Sequence, residues 1–388
     1  MNRKFGHALG VTAAGVVLGL AASLAGTAGS AGASGSARSA TPSWRTFGGR
    51  LYGAAATSRS NAWAVGLDPG GSLILHWDGA HWTKAYGSEG FFEGVAALSA
   101  GNAWAVGGTN WFGAQTMIVH WNGTSWSRVT SPSPSPGGTL NGVAVFSHCN
   151  AWAVGSIGGG PGDGTSSATK PLIEHWNGRS WQRVPTPALP AGTGGGLGSV
   201  TVTSRDNAWA VGWTGTAPNV RNASPLIEHW NGASWQIVAP PAGWVAGTVL
   251  TAVSARSADD VWAVGTWQLY GADDTYILHW TGSSWQRVTS PTPSPGAVLD
   301  GVTALPGGDA WAVGTTNHAN VCDPKCETVI EHWNGTSWQS APSPNPHSSY
   351  LNVLFSVAIV GGRPAWAVGT TDYARTLVLH WNGTAWKA

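Results

Sequence analysis

The chain has 388 residues, with 19 Lys and Arg against 18 Asp and Glu, and only 10% of its residues are charged, well under the roughly 25% of ordinary globular domains. So little charge leaves no basic stripe for nucleic acid and no polybasic face for a membrane. Glycine (56 residues) and proline (23) are abundant, but 26 tryptophans argue against a disordered low-complexity chain and for a folded protein of short strands and many turns.

In chain order, the first element is a leader. Arg3 and Lys4 precede the small-residue apolar run ALGVTAAGVVLGLAASLAG, and Ala31-Gly32-Ala33 supplies an A-x-A cleavage site. Residues 1–33 therefore read as a secretory signal peptide, and 34–43 as a short flexible segment. A retained membrane anchor fits less well, because glycine and alanine make the run only weakly hydrophobic. No second apolar stretch long enough to span a bilayer follows. The mature chain is expected to be secreted, soluble and monomeric.

From about residue 44 to 388 the sequence repeats. WAVG begins at Trp63, Trp104, Trp152, Trp209, Trp262, Trp311 and Trp366. HWNGTSW or a close copy begins at His76, His120, His175, His229, His279, His332 and His380. Before each WAVG lies a run of small and β-branched residues, such as FEGVAAL from Phe92 and LDGVTAL from Leu299. Each unit reads as four short strands, a to d: the small-residue run, AWAVG, a run like LILHW, and SWQRV. Asn-Gly (Asp-Gly in the first unit, Thr-Gly in the fifth) joins c to d and predicts a tight type I′ hairpin. Seven such units without helical periodicity predict an all-β fold, a seven-bladed β-propeller of four-stranded antiparallel blades, with strand a innermost. Trp44 in SWRTF and the C-terminal AWKA each resemble a strand d, so either could close the ring.

WAVG followed by HWNGTSW resembles the repeats of exported bacterial β-propeller proteins, loosely related to the BNR, kelch and YVTN types. The BNR Asp-box is matched only in its glycine-to-tryptophan spacing (Gly335 to Trp338), since its serine and aspartate are displaced or absent. The resemblance implies a fold and little about activity, because propellers host lectins, hydrolases and scaffolds alike.

A histidine repeated once per blade invites a metal-site reading. Equivalent positions on different blades are spread around a ring, however, and strand c does not face the channel. The histidines are therefore expected to be structural, bonding a buried carbonyl or hydroxyl between blades. Glu174, Glu228 and Glu331, which precede three of them, are expected to be solvent-facing or paired between blades. Cys322 and Cys326 in CDPKC are expected to form a local disulfide in an oxidising compartment, and Cys149 to be a buried free thiol. No metal site and no cofactor are expected.

Function is sought where the repeat breaks. The spacing from strand a (Gly53, Gly94, Gly142, Ser199, Ala252, Gly301) to the WAVG tryptophan is ten residues in six units, and the HW tryptophan precedes the next by five in all seven. From WAVG to HW the tryptophan spacing runs from 14 to 24. The length variation thus falls in the b–c and d–a connections, which emerge on one face of the disk, the usual place for binding. Trp111, Phe112, Trp213, Trp267 and Tyr270 are assigned to b–c loops there, Trp244 to a d–a connection, and Tyr373 to the same face. Indoles suit the C–H face of a sugar, so the expected function is binding of an extracellular polysaccharide or, alternatively, a cell-surface protein. A glycoside hydrolase or lyase would need carboxylates on this face. Asp68, Glu89, Glu93, Asp163, Asp273, Asp274, Asp323, Glu327 and Asp372 are available, but no catalytic motif contains them.

Intact mass of the exported, unreduced protein tests the leader and the bridge together. The expected species lacks residues 1–33, give or take a few, and is two hydrogens lighter than its reduced form.

Overall fold

The computed structural model describes residues 47–110, 115–134, 137–158, 169–215, 222–269, 272–291, 296–316, 325–346, 351–372 and 374–388. They form 28 strands, arranged as seven four-stranded antiparallel sheets in which neighbouring strands are consecutive in the chain. In blade 1, strands a to d are Arg50–Ser58, Asn61–Asp68, Gly71–Trp77 and Trp82–Tyr86. The a strands touch one another all the way round, Arg50–Ser58 meeting both Phe91–Ser99 of blade 2 and Asn352–Val360 of blade 7. The protein is a seven-bladed β-propeller with strand a innermost. Ser356 stands in blade 7 where the other blades carry Gly53 and its equivalents, ten residues before Trp366.

One aromatic arrangement recurs at all seven interfaces. The WAVG tryptophan lies against the repeat histidine of its own blade, with ring centroids from 3.9 Å (Trp262–His279) to 4.7 Å (Trp366–His380). Its other side meets both HW-motif tryptophans of the next blade. Trp63 is 4.9 Å from Trp121 and 5.1 Å, edge-on, from Trp126, and the pattern closes with Trp366 on Trp77 and Trp82 of blade 1. Edge-to-face packing sets the positive edge of one ring against the negative face of another. The indole N–H of the strand d tryptophan (Trp82, Trp126, Trp181, Trp235, Trp285, Trp338, Trp386) is buried without a hydrogen-bond acceptor in every blade, so ring contacts and burial carry these residues.

The histidines are structural in place, but their partners are not those expected. His76 Nε2 donates to Asn61 Oδ1 at 2.8 Å, His279 meets Asp260 at 2.9 Å, and Asn207 Nδ2 donates to His229 at 3.0 Å. Each partner is a side chain at the head of strand b in the same blade, not a carbonyl between blades. Burial lowers the pKa of His76, His120, His175, His229 and His380 and holds them neutral.

The c–d connection also differs from a two-residue type I′ hairpin. Trp333 pairs with Trp338, so residues 334–337 form a four-residue loop. Asparagine serves there through its side chain: Asn334 Oδ1 accepts from the amides of Thr336 (2.9 Å) and Ser337 (3.0 Å). Positive φ is needed only at the glycine, +93° at Gly335. Asn122, Asn177, Asn231, Asn382 and Asp78 make the same pair of bonds.

Strand a carries a β-bulge at one and the same place in each blade. In blade 1, Leu51 pairs with Gly66 and Gly53 with Val65, which leaves Tyr52 without a partner on strand b. The glycine of WAVG follows from this. A Cβ on Gly66 would fall on the Arg50 carbonyl, and the same collision recurs at Gly107, Gly155, Gly212, Gly265, Gly314 and Gly369. The small residue after the bulge has an interblade reason. A Cβ on Gly53 would sit 3.0 Å from the Glu93 carbonyl of blade 2, and where serine stands instead its hydroxyl accepts a backbone N–H from the next blade, Ala54 to Ser356 and Val253 to Ser199.

Both ends of the described chain close blade 7. Trp386–Lys387 pairs with the HW end of strand c (Arg375–Trp381). Phe47 and Gly48 pair with its other end, Thr376 N donating to Phe47 O at 2.9 Å and Gly48 bridging Arg375. The outer edge of this blade is therefore composite. Trp44 lies outside the described residues.

The three glutamates are fully buried, not solvent-facing. Ser131 of blade 2 donates to Glu174 of blade 3 at 2.9 Å, and Ser290 of blade 5 to Glu331 of blade 6 at 2.8 Å. Burial pushes both carboxyls up to about 7. Glu228 is pushed up to about 8, and neither of its oxygens has a partner. Cys149, expected to be buried, is an exposed free thiol in the a–b turn of blade 3, because that turn stands clear of the interblade cores.

In blade 5, Thr281 stands where five other blades have asparagine and blade 1 aspartate, and its side chain makes neither loop bond. Thr281→Asn should therefore raise stability by about 0.5–1 kcal/mol, read as a higher midpoint in urea with unchanged slope.

Candidate functional site

The two faces of the disk differ in how they are tied down. On the a–b/c–d face, the HW indoles of blades 1 to 4 bond the a–b turn of their own blade: Trp77 to Arg59 O, Trp121 to Ala100 O, Trp176 to His148 O and Trp230 to Arg205 O, at 2.9–3.2 Å. The opposite face carries the b–c and d–a connections, whose lengths vary.

Of the seven aromatic residues assigned to this face, Trp111, Phe112, Tyr270 and Tyr373 lie outside the described residues. Trp213 and Trp267 are not in loops. They extend strand b of blades 4 (Asn207–Gly215) and 5 (Asp260–Leu269), because the ladder continues beyond WAVG: Trp213 pairs with Gly196 and Pro225, and Trp267 with Thr248 and Asp274. Trp213 is half-buried, its indole close to Gly196 of strand a. Trp267 packs on the core between blades 4 and 5, against a cluster that includes Trp209, Val211 and Leu250, with its N–H buried and unpaired. Trp244, in the d–a connection between these blades, is 38% exposed. The structure thus gives one open indole, one half-covered and one capping the core.

Asp68 is held by Lys84 at 2.6 Å, and Asp274 accepts from the Thr275 amide at 3.0 Å. Asp163, the Asp273 side chain and Asp323 lie outside the described residues. Among the described residues no three His, Cys, Asp or Glu side chains cluster to hold a metal. Cys326 is buried against Leu351 and Val353 and its carbonyl accepts from Asn352 N at 3.0 Å; Cys322 lies outside the described residues.

The bulge residues form a site that the sequence reading passed over. They are Tyr52, Glu93, Asn141, Gly198, Thr251, Asp300 and Phe355, one per blade. The residue before each is Leu or Phe and the residue after is Gly, Ala or Ser, so only the middle position varies. It sits near the start of the innermost strand, where the chain arrives from the variable face. None of the seven belongs to an interblade core except Phe355, at the edge of the small cluster around Cys326. The signal was visible as a repeated Leu-x-small triplet with a different x each time, concealed because the whole run was treated as small-residue filler.

Most members of the ring are spoken for. Asn141 Nδ2 donates to Leu197 O at 2.8 Å, and the Thr251 hydroxyl to Leu299 O at 2.7 Å, each reaching the next blade. Tyr52 lies 5.3 Å from Phe355 across the blade 7–blade 1 seam and bonds Arg50; burial, and then the charge of Glu93, raise its pKa. Glu93 is 3% exposed, its Oε2 is buried with no partner, and burial alone pushes its carboxyl up to about 8.

Trp244 and Trp267 should separate cleanly in stability. Trp267→Ala is expected to cost about 2–4 kcal/mol through the cavity it leaves, and Trp244→Ala less than about 0.5 kcal/mol, both measured by chemical denaturation.

No protein-family model and no curated protein matches this sequence. Solved structures match across most of the chain. YCF48 bound to D1 peptide aligns with a TM-score of 0.52 at 14% identity, covering 88% of this chain and 96% of that one. The WD40 β-propeller domain of Doa1 aligns at 0.53 and 14%, covering 87% and 95%. The GH74 xyloglucanase from Xanthomonas campestris aligns at 0.53 and 14%, covering 87% of this chain and 54% of the enzyme. At such identities a peptide-bound protein, a WD40 domain and a glycosidase are alike in fold alone, and the β-propeller is what this chain shares with them.

Proposed function

We propose that this protein is a secreted binding module that holds an extracellular glycan or other surface polymer on its b–c/d–a face. The observation that carries the reading is the segregation of variety. The a–b/c–d face repeats the same turns from blade to blade, whereas the other face carries the variable connections, the exposed indole of Trp244 and a channel ring with different side chains around it. A rigid frame with variation confined to one face suits recognition, and an open indole suits a sugar ring. The leader supports export, and in that compartment Cys322 and Cys326 form the bridge that braces the b–c connection of blade 6, whose Cys326 end is pinned to Leu351.

A glycan-array screen with the mature chain, followed by calorimetry on the best oligosaccharide, tests the reading. Trp244→Ala should weaken binding by about 1–3 kcal/mol, the scale of a ring stacked on an aromatic, with an unchanged melting temperature. An array without a bound glycan, or affinity indifferent to Trp244, overturns it.

A further inference from the structure

The channel ring contains one group that the fold leaves unsatisfied. Asn141 and Thr251 show what this position does when it serves the scaffold: the side chain donates to the carbonyl of the residue before the bulge in the next blade. A glutamate at the same place in blade 2 has no N–H to offer. Among the described residues it forms no hydrogen bond and no ion pair, and its Oε2 is buried. Arg50, two residues before the bulge residue of blade 1, hydrogen-bonds the Tyr52 hydroxyl. Two other buried carboxyls do acquire a partner from the neighbouring blade, Glu174 from Ser131 and Glu331 from Ser290. Glu228, like Glu93, has none, but it lies in strand c, away from the channel.

Glu93 also stands where a ligand can arrive. It is the third residue of Phe91–Ser99, on the end of strand a that comes in from the variable face. Across the blade 7–blade 1 seam, beside it on the ring, the Tyr52–Phe355 ring pair supplies an aromatic wall, the kind of surface that attracts a cation over its face. From this arrangement we infer that the mouth of the central channel receives a primary ammonium group, with Glu93 as its counter-ion. Only one atom of the Glu93 carboxyl, Oε2, is a buried acceptor without a partner; a compact ammonium can meet such an atom singly, whereas a planar guanidinium binds best through both oxygens of a carboxylate at once. The empty site keeps its proton, since burial pushes the Glu93 carboxyl up to about 8. Entry of an ammonium therefore releases that proton to solvent, and binding tightens as pH rises towards 8.

The inference refines the reading of this face as a binding surface, and it has two natural sources of the ammonium: an amino-sugar polymer or a lysine side chain. Calorimetry on the mature propeller with four probes distinguishes them: a glucosamine trimer with free amines, its fully N-acetylated counterpart, a lysine tripeptide, and the same peptide acetylated on every side-chain nitrogen. At least one free-amine probe should bind at least tenfold more tightly than its acetylated partner, and which one does so names the source. For the lysine peptide, charged throughout this range, affinity should rise up to tenfold per pH unit between pH 6 and 8 and level off above. Proton release should appear as a binding enthalpy that depends on the buffer. Glu93→Gln should fold, since it removes no packing, and should lose the free-amine preference and the pH dependence together. Equal binding of free and acetylated forms by the native protein overturns the inference without recourse to any variant, as does an undiminished preference in Glu93→Gln. Neutral glycans that depend on Trp244 but ignore Glu93 would remove the inference and leave the glycan reading standing. A lysine peptide that depends on Glu93, with a blank glycan array, would do the reverse.

Discussion

The insertion of each WAVG tryptophan between two blades is the contact on which the rest of the structure depends. A four-stranded blade has two apolar faces and cannot bury either alone. Trp63 solves this by lying on His76 of its own blade and against Trp121 and Trp126 of the next. Because Trp366 reaches Trp77 and Trp82 in the same way, the ring has no free end. A chain with so few charges relies on burial of large apolar rings at about 25 cal/mol/Å², and the repeated indoles supply it at every interface. The histidine belongs to this contact. Its ring lies against the indole, and in blades 1, 4 and 5 its Nε2 meets a polar side chain at the head of strand b, whereas in blades 2 and 3 the Nε2 is buried without a partner.

The inner ring rests on a second constraint, the bulge in strand a. One extra residue turns the strand and re-aims a side chain, and the cost falls on the opposite strand, where only glycine fits beneath the carbonyl. The G of WAVG and the varied residue of the Leu-x-small triplet are thus two halves of one local structure. The scaffold requires the first and accepts several residue types at the second, two of which bond the next blade, so chemistry can change there without repacking the interblade cores. Tyr52, Glu93, Asn141, Thr251 and Asp300 use that freedom in different ways, and at Glu93 the result is a buried carboxyl with no partner.

Tryptophans outside the repeat meet two different environments on the variable face. Trp267 and Trp244 come from the same blade interface region, yet one covers the core and the other stands open. Both are tryptophans outside the repeat, so residue type alone does not separate them. What separates them is that strand b of blade 5 extends as a paired ladder to Leu269, which carries Trp267 on the sheet's own alternation towards blade 4, while Trp244 sits in a connection with no strand on either side of it.

The sequence by itself determined the number of blades, the four strands in each, the innermost place of strand a and the face on which connections vary. These follow from periodicity and turn residues acting over a few positions, where pairing partners are separated by a short loop. It also marked the Asn-Gly loop, though not its geometry, because a positive φ and a side-chain acceptor leave the same two letters in the chain. Tertiary structure decided what lies between units. The Trp63–Trp126 contact joins residues in different repeats, the Ala54–Ser356 bond joins positions 302 apart, and the composite edge of blade 7 joins Phe47 to Thr376. No local pattern encodes such pairs, since each partner has already satisfied its own strand. For the same reason Glu93 reads in the sequence as one acidic residue among small ones, and only closure of the ring removes the water from its carboxyl.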